Sequence, residues 1–211
     1  IRRKGAIAAV LRDVAEGRID ILVGTQMIAK GHDFPEVTLV GVVSADVGLG
    51  LADFRASERT FQLLTQVVGR AGRGDKPGEA LIQTIHPEHY SIQAAAAQDY
   101  DAFYAKEREF RERMQYPPSV AMVSVVKGRT ADAAMREAGW IATRLRARFP
   151  NGKVLGPAPA PLSRLRDEHR VQVFVKSRQR NAMRLAIQSV LTERPELRRK
   201  VIIDVDPINV L

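Results

Sequence analysis

The 211-residue sequence predicts an α/β chain of two modules. The first is part of a lobe built on a parallel sheet; the second is an α+β unit in the ferredoxin-like order βαββαβ. Three observations carry this. Short continuous apolar runs alternate with helical spacing through position 86, the pattern of strands buried on both faces. Beyond position 117 an alternating strand and a proline-bearing extended segment take over. Charge divides with them: residues 1–116 hold 15 Lys+Arg against 16 Asp+Glu, and residues 117–211 hold 18 against 8.

In the first module, Ile7, Val10, Leu11 and Val14 recur at helical spacing and Gly17 closes that helix. Residues 19–23 read as a short buried strand, 38–43 as a second and 80–84 as a third. A helix is expected from Ser57, its N-cap, with Phe61, Leu64 and Val68 inward and Leu63 and Val67 widening that face. The pattern predicts residues 1–86 as the lobe and a helical connector over 87–116. Residues 88–114 read as helix, ended by Tyr116-Pro117-Pro118.

In the second module, 117–211, residues 119–126 read as a strand. Thr130 caps a helix that turns Ala134, Ala138, Ile141 and Leu145 inward. Residues 154–162, with Pro157, Pro159 and Pro161, are an edge strand or extended segment. Residues 170–176 alternate, with Val171, Val173 and Val175 inward. Residues 178–193 form a helix on Met183, Ile187, Val190 and Leu191, and 201–205 the last strand.

Composition narrows the function. Cysteine is absent, which excludes a disulfide framework and a thiolate metal site and suggests a reducing, cytoplasmic compartment. No apolar run approaches the length of a membrane span. His86 and His89 flank Pro87 with no third ligand nearby, so no metal site is expected. The chain opens on Ile1 rather than Met and is expected to be a piece of a longer protein. The net charge of +9 falls in the second module, which suits an anionic partner such as nucleic acid or an acidic peptide. Arg164, Arg166 and Arg170 surround the hairpin tip at 163–169. Lys176, Arg178, Arg180 and Arg184 gather at the start of the last helix, and Arg198, Arg199 and Lys200 precede the last strand. These are the candidate DNA or partner contacts. Trp140 is expected to pack rather than stack on bases.

Two segments carry chemistry. Gln62, Gln66, Arg70 and Arg73 fall on one stripe of the helix from Ser57. Two guanidiniums on one stripe suit bidentate contact with phosphate; by themselves they also fit a solvated basic face. Gly69 and Gly72 leave room for close approach or mark a fraying end. The loop after the first strand sits where such sheets bind ligands. There Thr25 and Gln26 offer a hydroxyl and an amide, Lys30 a charge, Gly31 close approach, and Asp33 a carboxylate for ribose hydroxyls.

The spacing Q-x-x-G-R-x-x-R at 66–73 resembles the sixth motif of superfamily 2 helicases. Gly24-Thr25-Gln26-Met27-x-x-Lys30-Gly31-His32-x-Phe34-Pro35 resembles the fifth motif of the PriA family of primosomal replication-restart helicases. Ala52-Asp53-Phe54-Arg55-Ala56-x-Glu58-Arg59 resembles the segment linking that family's fifth and sixth motifs. Gly156-Pro157-x-Pro159-Ala160 and Asp204-Val205-Asp206-Pro207 resemble its C-terminal domain. The resemblance implies a RecA-like second helicase lobe in an enzyme that uses ATP and Mg²⁺. Arg70 and Arg73 would meet the γ-phosphate and Gln66 would couple the cleft to DNA. Gly31 and Asp33 would contact nucleotide, and Thr25, Gln26 and Lys30 the DNA strand. Implied partners are forked or single-stranded DNA, the acidic tail of single-strand-binding protein and other primosome proteins. No G-x-x-x-x-G-K-[ST] loop, D-E-x-H box or zinc-binding cysteine occurs. In the family these lie upstream, so zinc is expected only there and the piece alone is not expected to hydrolyse ATP. The rival reading is a non-enzymatic module for nucleic acid or acidic peptide; a motor acting on RNA is a weaker third.

Overall fold

The computed structural model describes residues 6–25, 37–72, 77–123, 126–165 and 167–208. Two compact units emerge: Ile1–Leu51 with Ala56–Lys106, and Ala52–Arg55 with Glu107–Leu211. Among the described residues no helix is long and apolar enough to cross a membrane.

The first unit opens with α1 (Ala6–Ala15). Gly17, at φ +70°, ends it as expected. The Arg18 N–H reaches the Asp13 carbonyl at 2.8 Å and the Gly17 N–H that of Val14 at 3.1 Å, the paired bonds of a Schellman cap. The strand expected at 19–23 does not form; Ile21 and Val23 are 80% and 87% exposed. Such a run becomes a strand only with a neighbour on its edge and cover on its faces, and the described residues give it neither. The other two strands form close to their expected places. β1 (Leu39–Val42) and β2 (Glu79–Ile82) pair in parallel, Leu39 opposite Glu79 through Val42 opposite Ile82.

Against this pair lies α2 (Ala56–Val68), which already contains Ser57. The helix thus begins ahead of the expected serine cap, and in the turn before it Asp53 Oδ1 accepts the Arg55 N–H at 2.9 Å. Phe61 and Leu64 are buried with Ala45, Ile92, Ala95 and Phe103, and Phe61 stacks on Phe103 at 4.0 Å. The helical stretch expected over 88–114 is two helices, α3 (Tyr90–Ala96) and α4 (Tyr100–Met114). Gln98 takes positive φ, and Asp99 Oδ1 then accepts the Ala102 N–H at 2.9 Å, starting the second helix afresh.

The second unit is organised around one central strand. β3 (Ala121–Val123) and β4 (Val126–Gly128) both pair antiparallel with β6 (Glu168–Ser177), and β5 (Lys153–Leu165) pairs with it as well. Val123 faces Val175 and Val126 faces Val171. The register therefore slips by one residue, and the strand expected over 119–126 is divided. The proline-bearing β5 pairs with β6 alone among the described strands, with register shifts at Leu155/Ala158 and Pro159/Arg164. Proline has no N–H to give a second neighbour.

α5 (Ala131–Arg148) and α6 (Arg180–Glu193) bury their expected residues in one core with Val171, Val173 and Val175. Thr130 caps α5 by accepting the Ala133 N–H at 3.2 Å. Two expectations need correction. First, β6 is buried on both faces along part of its length: Gln172 and Lys176 are 5% and 8% exposed. Alternation marks which residues share a face; it does not say whether another segment covers that face. Second, 201–205 holds a single bridge residue, Val201, rather than a strand. A short, register-slipped edge of β3 and β4 offers few aligned groups for a further ladder.

Candidate functional site

The first candidate region is the C-terminal end of α2. Gln62 and Gln66 are exposed along the helix, and Gln62 Nε2 donates to Glu58 at 3.3 Å. The helix stops at Val68. The N–H groups of Arg70 and Ala71 then bond the Val67 and Val68 carbonyls at 3.0 and 3.2 Å, tightening the last turn. Half-buried Arg70 thus sits on a turn beyond the helix, so the expected stripe changes pitch before it reaches this guanidinium. Arg73 lies outside the described residues.

That turn is fixed from two sides. Gly72, at φ +71°, donates its N–H to the Val37 carbonyl at 3.2 Å. A Cβ on Gly78 would stand 2.0 Å from the Gly72 nitrogen, closer than any side chain can come. Glu79, opening β2, bonds the Thr38 carbonyl at 2.7 Å. The end of α2 is therefore pinned where the chain enters β1. Of the contacts predicted for 24–35, Thr25 is described and exposed; Gln26, Lys30, Gly31 and Asp33 lie outside the described residues.

At the carboxyl ends of the parallel strands, Asp46 gathers groups that had no predicted role. Asp46 Oδ1 accepts the Thr84 hydroxyl at 2.5 Å, and Oδ2 accepts the Ile85 N–H at 3.1 Å. The Thr84 hydroxyl in turn accepts the His86 N–H at 2.9 Å. The Thr84 bond, foremost, holds the Asp46 carboxyl below its ordinary range. Only pairing of β1 with β2 brings positions 46 and 84 together, so no local pattern could have flagged them. His89 is an N-cap, its Nδ1 accepting the Ser91 N–H at 3.3 Å. Among the described residues no group of three His, Cys, Asp or Glu could hold a metal ion.

The second candidate region is basic. Exposed Arg164 pairs with Asp167 at 2.8 Å at the hairpin tip, and Arg170 is half-buried on β6. Arg178 is exposed, and Arg180 forms an ion pair with Asp206. Arg166 lies outside the described residues. Lys176 is turned inward: its ammonium donates to the Met114 carbonyl at 3.2 Å and sits 3.7 Å from the Tyr116 ring centroid. Trp140 packs on the core, with the Arg194 guanidinium 4.4 Å from its ring centroid. A groove of about 440 Å³ runs between α6 and residues 201–205, with Ile187, Leu191 and Ile203 in its lining and Arg180, Arg184 and Arg198 beside them. The sequence held its signal: apolar Ile203 and Val205 flanked by arginines from two segments. A strand assignment for 201–205 hid it.

Two family models match the chain. The family described as Helicase conserved C-terminal domain matches residues 3–75, and that described as Primosomal protein N C-terminal domain matches residues 112–208. The replication restart protein PriA of Bacillus subtilis (strain 168) is 46% identical over 209 residues, 97% of this chain and 26% of that protein. PriA of Synechocystis sp. is 44% identical over 177 residues, 83% of this chain and 21% of that protein. PriA of Haemophilus influenzae is 38% identical over 211 residues, 97% of this chain and 29% of that protein. The chain thus spans about a quarter of the length of the curated relatives it matches.

Proposed function

This chain belongs to the PriA family of replication restart proteins, and we propose that it supplies part of the second lobe of an ATP-dependent DNA helicase together with a basic domain for forked DNA and a protein partner. Residues 1–86 act as motor, 87–116 as connector and 117–211 as the basic domain. The basic domain is a ferredoxin-like split fold whose first three strands take the order seen around β6 and whose fourth is the 201–205 segment. The protein works in the cytoplasm, where it reopens stalled forks and recruits other primosome proteins.

The observation that carries the motor reading is the pinned turn after α2. Gly72 ties the turn that carries Arg70 to Val37, which follows Thr25, Gln26, Lys30, Gly31 and Asp33 in the chain. One short stretch of backbone thus joins the residues proposed for phosphate with those proposed for ribose and strand. ATP with Mg²⁺, held mainly by upstream chain, supplies the phosphoryl charge. Arg70 and Arg73 neutralise that charge with their planar forks, and Gln66 links the cleft to DNA. Zinc belongs to the upstream region, and the piece alone does not hydrolyse ATP.

In the full-length protein, Arg70→Ala and Arg73→Ala lower ATP hydrolysis by about 10³-fold or more, the scale of a phosphate-directed arginine. Fork binding is retained. Near-normal hydrolysis in both variants overturns the motor reading.

In the basic domain, Arg164, Arg170, Arg178 and Arg180 contact phosphates or carboxylates, with Lys176 supporting them from inside. The α6 groove suits the acidic tail of single-strand-binding protein, an apolar end in the groove and carboxylates on its arginines. Without a motor, the same groove and arginines describe a non-enzymatic binding module.

A further inference from the structure

The groove between α6 and residues 201–205 carries an anion of its own. Arg180 belongs to its lining. Asp206, which directly follows Val205 on the facing segment, holds the Arg180 guanidinium through Oδ2. The pair sits at the rim rather than in a core, the Arg180 side chain 49% exposed and that of Asp206 31%. The Asp206 carboxylate therefore stands where a ligand carboxylate or phosphate on Arg180 would stand.

Asp206 is held there in an unfavourable state. Its backbone takes φ +53°, the left-handed region that costs a residue with a Cβ, though aspartate less than most. Its Oδ1 is closed off from solvent with no hydrogen-bond partner among the described residues. A carboxylate oxygen so placed loses hydration without replacement. That loss is relieved when another anion takes Arg180 and Asp206 turns to water. Residues held in sparsely populated conformations gather at ligand clamps and switch regions.

The rest of the groove decides which anion can displace Asp206. Ile187, Leu191, Val201 and Ile203 line it, and Ile203 and Val205 are 46% and 52% exposed. Burying one large apolar side chain is worth about 10- to 150-fold in affinity, whereas an exposed ion pair is worth about fivefold at most. A ligand with an apolar end beside its carboxylates thus outweighs the displaced pair. A bare phosphate only exchanges one partner of Arg180 for another. We propose that Asp206 is an internal competitor for Arg180, setting a threshold that an acidic peptide with an apolar end passes and bare phosphate does not. This rests on the groove reading above, and it adds how a domain that also meets nucleic-acid phosphate keeps that phosphate off its peptide groove.

The test uses the full-length protein and two labelled acidic peptides, one ending in phenylalanine and the other in serine. Inorganic phosphate serves as competitor at fixed ionic strength, because salt screens these charges. In Asp206→Asn both peptides bind about fivefold tighter, and phosphate competes at concentrations that leave wild type unaffected. Asp206→Glu, which restores a carboxylate beside Arg180, returns both readings toward wild type. Asp206→Gly suits the positive φ, removes the same carboxylate and decides the matter if Asp206→Asn does not fold. Unchanged or weaker peptide binding in a variant that melts like wild type overturns the competitor and leaves Asp206 a mere support for Arg180. Ile203→Ser separates the two ideas: it weakens the phenylalanine-ended peptide alone. Equal effects on both peptides there overturn the groove reading, whereas a selective loss with no gain in Asp206→Asn overturns only the competitor.

Discussion

Lys176 shows how one residue's surroundings can differ from its composition. By type and neighbours it belongs with the exposed arginines at the start of α6, yet it is buried, donating to Met114 and facing Tyr116. Unfolded, its ammonium titrates near the ordinary value of 10.5; folded, it titrates lower because of burial and then Lys153. Between those two values the unfolded chain holds more protons than the native one, so this group's contribution to stability rises with pH across that window. Replacing it by methionine removes the proton-linked increment. Urea melts of wild type and Lys176→Met, run from neutral pH toward 10.5, shift in wild type's favour as pH rises; a constant difference counts against the burial. Period-two patterning showed that Lys176 shares a face with Phe174 and Gln172. It could not show that the α4 end and Tyr116 cover that face, because these lie some sixty positions away in the chain.

Elements were legible where local signals and core burial agree. Thr130 sits before Ala134, Ala138, Ile141 and Leu145, and structure returns a capped helix buried on those residues. Thr130→Ala leaves the Ala133 N–H without its side-chain acceptor and costs about 1 kcal/mol, measurable as a lower urea midpoint; Thr130→Ser recovers most of it. The same agreement placed α6 on Met183, Ile187, Val190 and Leu191. Legibility failed where an element depends on a distant neighbour. Residues 19–23 have the composition of a strand but no partner among the described residues, and apolar 201–205 hold one bridge residue rather than a strand. The candidate site divides along the same line. Local spacing placed Gln62 and Gln66 on one helix but not the turn beyond Val68 that carries Arg70, and the Gly72–Gly78 contact and the Asp46–Thr84 bond join positions that only the fold brings together.

At the scale of the whole molecule, the division of charge is the property that separates the functional readings. Residues 117–211 hold 18 Lys+Arg against 8 Asp+Glu, and several of these cations are already engaged by protein carboxylates: Arg164 by Asp167, Arg180 by Asp206, and Arg144 and Arg148 by Glu193. The surplus available to DNA is therefore smaller than the formal count. Salt dependence measures it, because each phosphate neutralised adds about −0.9 to the slope of log affinity against log salt on duplex DNA, and about −0.7 on single strands. For the full-length protein on forked DNA, affinity falls steeply with salt. Arg178→Gln, which removes an exposed cation, weakens binding without regard to sequence and makes the slope shallower by about one. Arg180→Gln also releases Asp206, so it weakens binding with a different signature: the freed carboxylate adds repulsion. A slope unchanged by Arg178→Gln places the DNA elsewhere and leaves the arginines of α6 to an acidic protein partner.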